Sequence, residues 1–207
     1  MPVRFSRIIL MMEHDPPARQ GPHPPTLYTI GHSTRTLDEL VAALQAHGVK
    51  AVADVRRFPA SRRLPWFNDT SLARSLPERG LLYWPFPDLG GRRRALPDSP
   101  NGGWRNESFR GYADYMATQA FLGSLGSLAE KAGATPAAIM CAEAVPWRCH
   151  RSLIADAMLV RGWRVLDIFD AAKASPHKLT PFARVRGTAI TYPPPPLDEG
   201  GPVNSLP

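Results

Sequence analysis

Short apolar runs alternate with helix-spaced patterns from Leu27 to Phe169, and few folds accommodate that rhythm. It is clearest between Pro136 and Asp170. Ala137 to Met140 is short and apolar enough for a buried strand, and Cys141-Ala142-Glu143 follows at its end. Ala144 to Arg148, with Pro146 inside it, reads as a tight loop. Cys149-His150-Arg151 then opens a helix whose apolar positions are Leu153, Ile154, Ala157 and Met158. Gly162 closes that helix, and Val165 to Phe169 is the next strand.

The same alternation runs upstream. Leu27 to Ile30 is a strand ending in Gly31-His32-Ser33. Thr36 caps a helix, with Glu39 completing a capping box and Leu37, Leu40, Val41 and Leu44 on its buried face. Gly48 ends it, and Lys50 to Val55 is the second strand. Ser71 to Arg79 is a short helix stopped by Gly80, and Leu81 to Phe86 is the third strand. Phe109 to Lys131 reads as one long helical segment. This order predicts an α/β domain over residues 26–185. It has three layers: a mostly parallel sheet of about five strands with helices on both faces.

Proline marks the ends. Residues 1–25 hold six of the 23 prolines and residues 186–207 another six, four of them consecutive at Pro193 to Pro196. Both segments read as disordered tails. No apolar run approaches the roughly 18 residues of a membrane helix. The two cysteines and the lack of an export signal point to free thiols in a reducing cytoplasm. The oligomeric state leaves no signature.

The chain carries a formal charge of +7. Arg56 to Arg94 holds nine arginines against three acids, an excess of six, together with Phe58, Trp66, Phe67, Tyr83, Trp84 and Phe86. Arginine interleaved with aromatics suits phosphates and unstacked bases, so a nucleic acid or a nucleotide-like anion is the expected partner.

In a parallel sheet the carboxyl ends of the strands share one edge, where ligands bind. Gly31-His32-Ser33, Asp54 to Ser61 and Cys141 to Arg151 would therefore face one crevice. Asp54 and Glu143 would supply a carboxylate pair of the kind that cleaves glycosidic bonds. Arg56 and Arg151 would clamp an anion, with hydrogen bonds from His32, Ser33, Ser61 and His150. Cys141 and Cys149 are candidate catalytic thiols, because a helix N-terminus and nearby cations favour thiolate.

Other chemistries fit less well. A phosphatase loop needs Arg six residues after its Cys, and from Cys141 that position is Trp147. Cys141, Glu143, Cys149 and His150 are residue types that bind zinc, but the pattern lacks a paired cysteine. Consecutive Cys149 and His150 would also point apart on a helix. No metal and no cofactor are expected. The reading is thus an enzyme, a hydrolase or transferase, acting on a nucleotide or nucleic-acid base. The alternatives are a non-catalytic nucleic-acid-binding module and a cysteine-dependent sulfur or redox enzyme.

The ordered motifs Thr29-Ile30-Gly31-His32-Ser33, Asp54-Val55-Arg56 with Pro59 and Ser61, Leu89-Gly90-Gly91, Phe109 with Tyr112-Ala113 and Met116, and Cys141-Ala142-Glu143 with Cys149-His150-Arg151 resemble the family catalogued as domain of unknown function 488. The resemblance covers about residues 27–170. It implies an intracellular α/β domain with a shared polar site and supplies no reaction.

Overall fold

The computed structural model describes residues 23–195. It contains a six-stranded sheet in the order β3-β2-β4-β1-β5-β6. These strands are β1 (Thr26–Gly31), β2 (Ala51–Asp54), β3 (Leu82–Pro85), β4 (Ala137–Cys141), β5 (Arg164–Ile168) and β6 (Ala174–Pro176). The first five run parallel, and β6 pairs antiparallel to β5 along the edge. The expected fold class is therefore the observed one. β6 is the strand that the apolar pattern does not announce, because Ala174-Ser175-Pro176 has neither length nor alternation.

β4 is central and buried along its whole length. Its pleat divides the core. Ala137, Ile139 and Cys141 face one layer, and Ala138 and Met140 face the other. The first layer is built by α3 (Glu107–Tyr115), α4 (Gln119–Ala134) and α5 (Arg151–Leu159), through Tyr112, Phe121, Leu125, Leu128, Leu153 and Met158. The second is built by α1 (Leu37–Ala46) and α2 (Asp69–Ser75), through Leu40, Leu44 and Leu72. Both faces of a parallel sheet are covered, as its unbroken apolar strands require.

Several expected boundaries are local chemistry made visible. Thr36 caps α1 with the full capping box to Glu39. The segment 109–131 is not one helix: it breaks at Met116–Thr118 into α3 and α4. Thr118 bonds back to the Tyr115 carbonyl and caps Phe121 N–H, so a new N-terminus forms there. Apolar spacing misses the break because both helices bury residues in the same layer.

The chain beyond 185 is also more structured than its prolines suggest. β7 (Arg184–Arg186) and β8 (Ala189–Thr191) form a small hairpin. Tyr192 follows, fully buried, with its hydroxyl on Asp156 at 2.9 Å. Of the tails expected at 1–25 and 186–207, residues 1–22 and 196–207 lie outside the described residues.

A buried polar network fastens this C-terminal segment. His177 bonds Asp156 at 3.0 Å through Nε2 and Asp167 at 3.1 Å through Nδ1. Thr29 donates to Asp167, and the Thr180 N–H to Asp156. Burial works against a charge on His177, but the two carboxylates outweigh it and lift the imidazole to about 9. It is a cation between two acids at neutral pH.

Candidate functional site

In sheet order, β2, β4 and β1 are neighbours, so their carboxyl ends bring three sequence-distant motifs together. The backbone continues the ladder past the strands. His32 N–H donates to the Cys141 carbonyl, Ser33 N–H to Ala142, and Val55 N–H to Met140. Ser33 sits at positive φ, 48°, where the chain turns away from β1.

Cys141 and Cys149 are both buried free thiols. His150 lies between them, with Nδ1 3.8 Å from the Cys141 sulfur and 3.7 Å from the Cys149 sulfur. Its other nitrogen, Nε2, is 2.9 Å from the Val55 carbonyl. A carbonyl only accepts, so Nε2 carries a proton, and Nδ1 is the nitrogen that faces the sulfurs. The sequence reading places Cys149 and His150 on a helix and so pointing apart. Instead α5 starts at Arg151. Cys149 is extended (φ −136°, ψ 142°) and His150 is not (φ −56°, ψ −18°), which turns both side chains toward Cys141.

The thiols are not equivalent. A hydrogen bond from Cys149, followed by His150 and the Glu143 N–H, holds Cys141 well below the usual thiol range. Burial, then its bond to Cys141, pushes Cys149 up, against the opposing pull of the Arg151 charge and N–H. The two thiols are thus driven in opposite directions, Cys141 down and Cys149 up.

Glycines make this corner possible. A Cβ on Gly31 would collide with the Glu143 carbonyl and lie 2.8 Å from Arg151 Nη1. A Cβ on Gly90 would meet Arg57 at 2.5 Å, and one on Gly91 would lie 2.9 Å from His150 Nδ1. The Leu89-Gly90-Gly91 motif thus serves close approach, with Gly91 keeping space beside the Nδ1 edge of the imidazole.

The corner opens into a cavity of about 370 Å³, within the range of small-molecule sites. Cys141, Glu143, Cys149 and His150 line it, and so does Arg56. The remaining wall brings Arg57, Arg92 and Arg148 together with Phe58 and Phe109. Asn106 and Ser108, at the start of α3, complete it. Sequence reasoning singles out none of Arg57, Phe58, Arg92, Arg148 or Phe109 as a site residue, and it passes over Asn106 and Ser108 altogether. Their only signal is Asn106 as the N-cap, accepting from Ser108 N–H.

The other expected residues lie behind the cavity. Asp54 is buried and accepts from Arg56 N–H, Nε and Nη2 and from the Tyr83 hydroxyl. Arg56 also donates to the Phe67 carbonyl and contacts His32 Nε2 at 3.2 Å. Burial, and then the Arg56 charge, push His32 down to about 4, so it is a neutral ring stacked on Phe67. The Asp54–Glu143 carboxylate pair is not assembled on one cavity, because Asp54 does not line it. Arg151 is buried and donates to the Glu143 and Ala144 carbonyls, holding the loop after β4 rather than facing the cavity. Ser61 caps the turn to Leu64, away from the cavity.

The expected cation cluster is therefore redistributed. Arg56 and Arg151 build the site, while Arg57, Arg92 and Arg148 are the guanidinium groups left to meet an anion. An imidazole nitrogen between two sulfurs suits two chemistries: thiolate attack, or coordination of a thiophilic cation. Among the described residues no helix is long and apolar enough to cross a membrane.

The family model described as "Domain of unknown function DUF488" matches residues 36–158. No curated protein and no solved structure matches the chain. The matched span holds Asp54, Arg56, Gly91, Cys141, Glu143 and the Cys149-His150-Arg151 run. The chain belongs to this family of domains of unknown function.

Proposed function

We propose that this member of the DUF488 family is an enzyme, a hydrolase or transferase, that acts on a nucleotide-like anion. The observation that carries the reading is the cavity's composition. The Cys141–Cys149–His150 centre, one carboxylate (Glu143), and an arginine and phenylalanine wall share a single space of about 370 Å³. Arg57, Arg92 and Arg148 hold the phosphate or other anionic group. Phe58, exposed at the rim, and Phe109 pack against the flat apolar part of the substrate. Glu143 takes the proton from the attacking group. Asp54 and Arg56 keep the edge rigid and do not touch substrate.

The test is calorimetric titration with nucleoside monophosphates, coupled to chromatographic analysis of a nucleotide panel for turnover. Wild type should bind and turn over a member of the panel. Arg57→Ala/Arg92→Ala/Arg148→Ala should bind at least ~10-fold more weakly, with each lost charged contact contributing about 1.5–3 kcal/mol at most. Glu143→Gln should bind normally and turn over slowly. Equal binding by wild type and the triple variant, with no turnover, sinks the proposal. Salt-dependent binding of single-stranded DNA or RNA that is unchanged in Glu143→Gln, with no turnover, would put a binding module in its place.

A further inference from the structure

We propose that Cys141, Cys149 and His150 form a zinc site, with the fourth coordination position open to the cavity. The potential ligand atoms, Sγ, Sγ and an imidazole nitrogen, lie within 4.8 Å of one another. Zinc bonds of about 2.3 Å to sulfur and about 2.0–2.1 Å to nitrogen give a tetrahedron with S···N edges of about 3.6 Å. The observed edges to His150 Nδ1 are 3.8 and 3.7 Å. Those two edges are within about 0.2 Å of the tetrahedron's.

Three further features fit a metal better than a bare thiol pair. His150 has its outer nitrogen fixed on the Val55 carbonyl, the outer-shell bond that sets tautomer and ring angle in metal-bound imidazoles. Gly91 leaves the space beside Nδ1 clear of a Cβ. The trio contains no carboxylate, and two thiolates with an imidazole select a borderline-soft ion over calcium or magnesium.

Charge also balances. Two thiolates, a neutral imidazole and a dipositive ion sum to zero. The thiols release their protons to solvent as the ion enters. Zinc with three protein ligands keeps a water in the open position, and here that position faces Glu143 and the arginine wall. Zinc binding itself is independent of the proposed substrate. Only the use of the open position, to activate water against a nucleotide-like anion, rests on that reading.

The test uses the whole reduced protein and zinc chloride competed against a chromophoric chelator, with thiol reactivity read in parallel. Wild type should take up one equivalent, and zinc should slow modification of both thiols by Ellman's reagent. Cobalt(II) in its place should give tetrahedral d–d bands and a thiolate charge-transfer band. Cys149→Ser and His150→Gln, checked for fold by circular dichroism, should each bind at least ~100-fold more weakly, beyond the roughly 10–100-fold that losing an outer partner costs. No uptake by wild type, or two thiols that react equally fast with and without zinc, overturns the site. That failure would leave the anion reading standing. Conversely, Arg57→Ala/Arg92→Ala/Arg148→Ala should keep full zinc affinity even if every nucleotide titration fails.

Discussion

Raising the pH from 6 to 9.5 should destabilise the folded chain through His177. Its folded pKa is about 9 against an ordinary 6.5, because Asp156 and Asp167 hold the imidazolium despite burial. Below pH 6.5 both folded and unfolded states carry the proton, and the stabilisation is fully present. Between 6.5 and about 9 only the folded state is protonated, so stability falls by about 1.4 kcal/mol per pH unit. Above about 9 the contribution is gone. The shift of roughly 2.5 units corresponds to about 3 kcal/mol, a large part of the 5–15 kcal/mol typical of a domain. Urea unfolding at pH 6.0, 7.5 and 9.5, for wild type and His177→Gln, isolates this group from the thiols that also titrate. The variant leaves two buried acids without their cation and should be about 3–5 kcal/mol less stable at pH 6.0. The gap should shrink by about 3 kcal/mol at pH 9.5. A gap that stays constant with pH means His177 is neutral in the fold, and the argument fails.

Four other substitutions read out different parts of the structure. Arg56→Ala strands the buried Asp54 carboxylate and should cost about 3–5 kcal/mol in urea unfolding, whereas surface changes at Arg62 should cost less than about 0.5 kcal/mol. Tyr192→Phe removes the hydroxyl from Asp156 and should cost about 1–3 kcal/mol, which would measure how firmly the segment after β8 is fastened. Gly91→Ala brings a methyl to 2.9 Å from His150 Nδ1; it should lower stability by about 1–3 kcal/mol, and zinc affinity should fall with it. Arg151→Lys replaces a fork that reaches two carbonyls with a single point charge, so about 1.5–3 kcal/mol should be lost and amides in 142–148 should exchange faster.

The sheet was legible because its strands are buried on both faces and so appear as short apolar runs between capped helices. Thr36 with Glu39, and Gly80 and Gly162 at positive φ, mark ends that side-chain and backbone chemistry impose locally. What stayed hidden depended on contacts across the chain. Asp156 and Asp167 sit in apolar surroundings and look like surface residues until His177 is placed between them. Asp54 and Glu143 look equivalent at two strand ends. Yet one is enclosed by Arg56 and Tyr83, and the other faces solvent in the cavity. Cys149 and His150 were misread by only two residues: a helix starting at 149 separates them, and a helix starting at 151 aims both at Cys141. Small shifts of a boundary decide whether a cluster of ligating atoms exists.

The charges around the corner argue for what it holds. Arg151 is 1% exposed, donates Nη1 and Nη2 to two carbonyls, and has no hydrogen-bond partner at Nε. Its ion-pair partner is no carboxylate, since Asp54 is committed to Arg56. Burying a guanidinium without a counter-charge costs several kcal/mol. The Arg151 charge and N–H pull the Cys149 thiol down, against the burial and the Cys141 bond that push it up. Arg151 therefore serves the corner from behind, by fixing the Glu143 and Ala144 carbonyls that position the loop after β4. The guanidinium groups that line the cavity are those of Arg56, Arg57, Arg92 and Arg148, and Arg56 is paired with Asp54. A nucleotide-like anion, as proposed, would meet Arg57, Arg92 and Arg148 rather than Arg151.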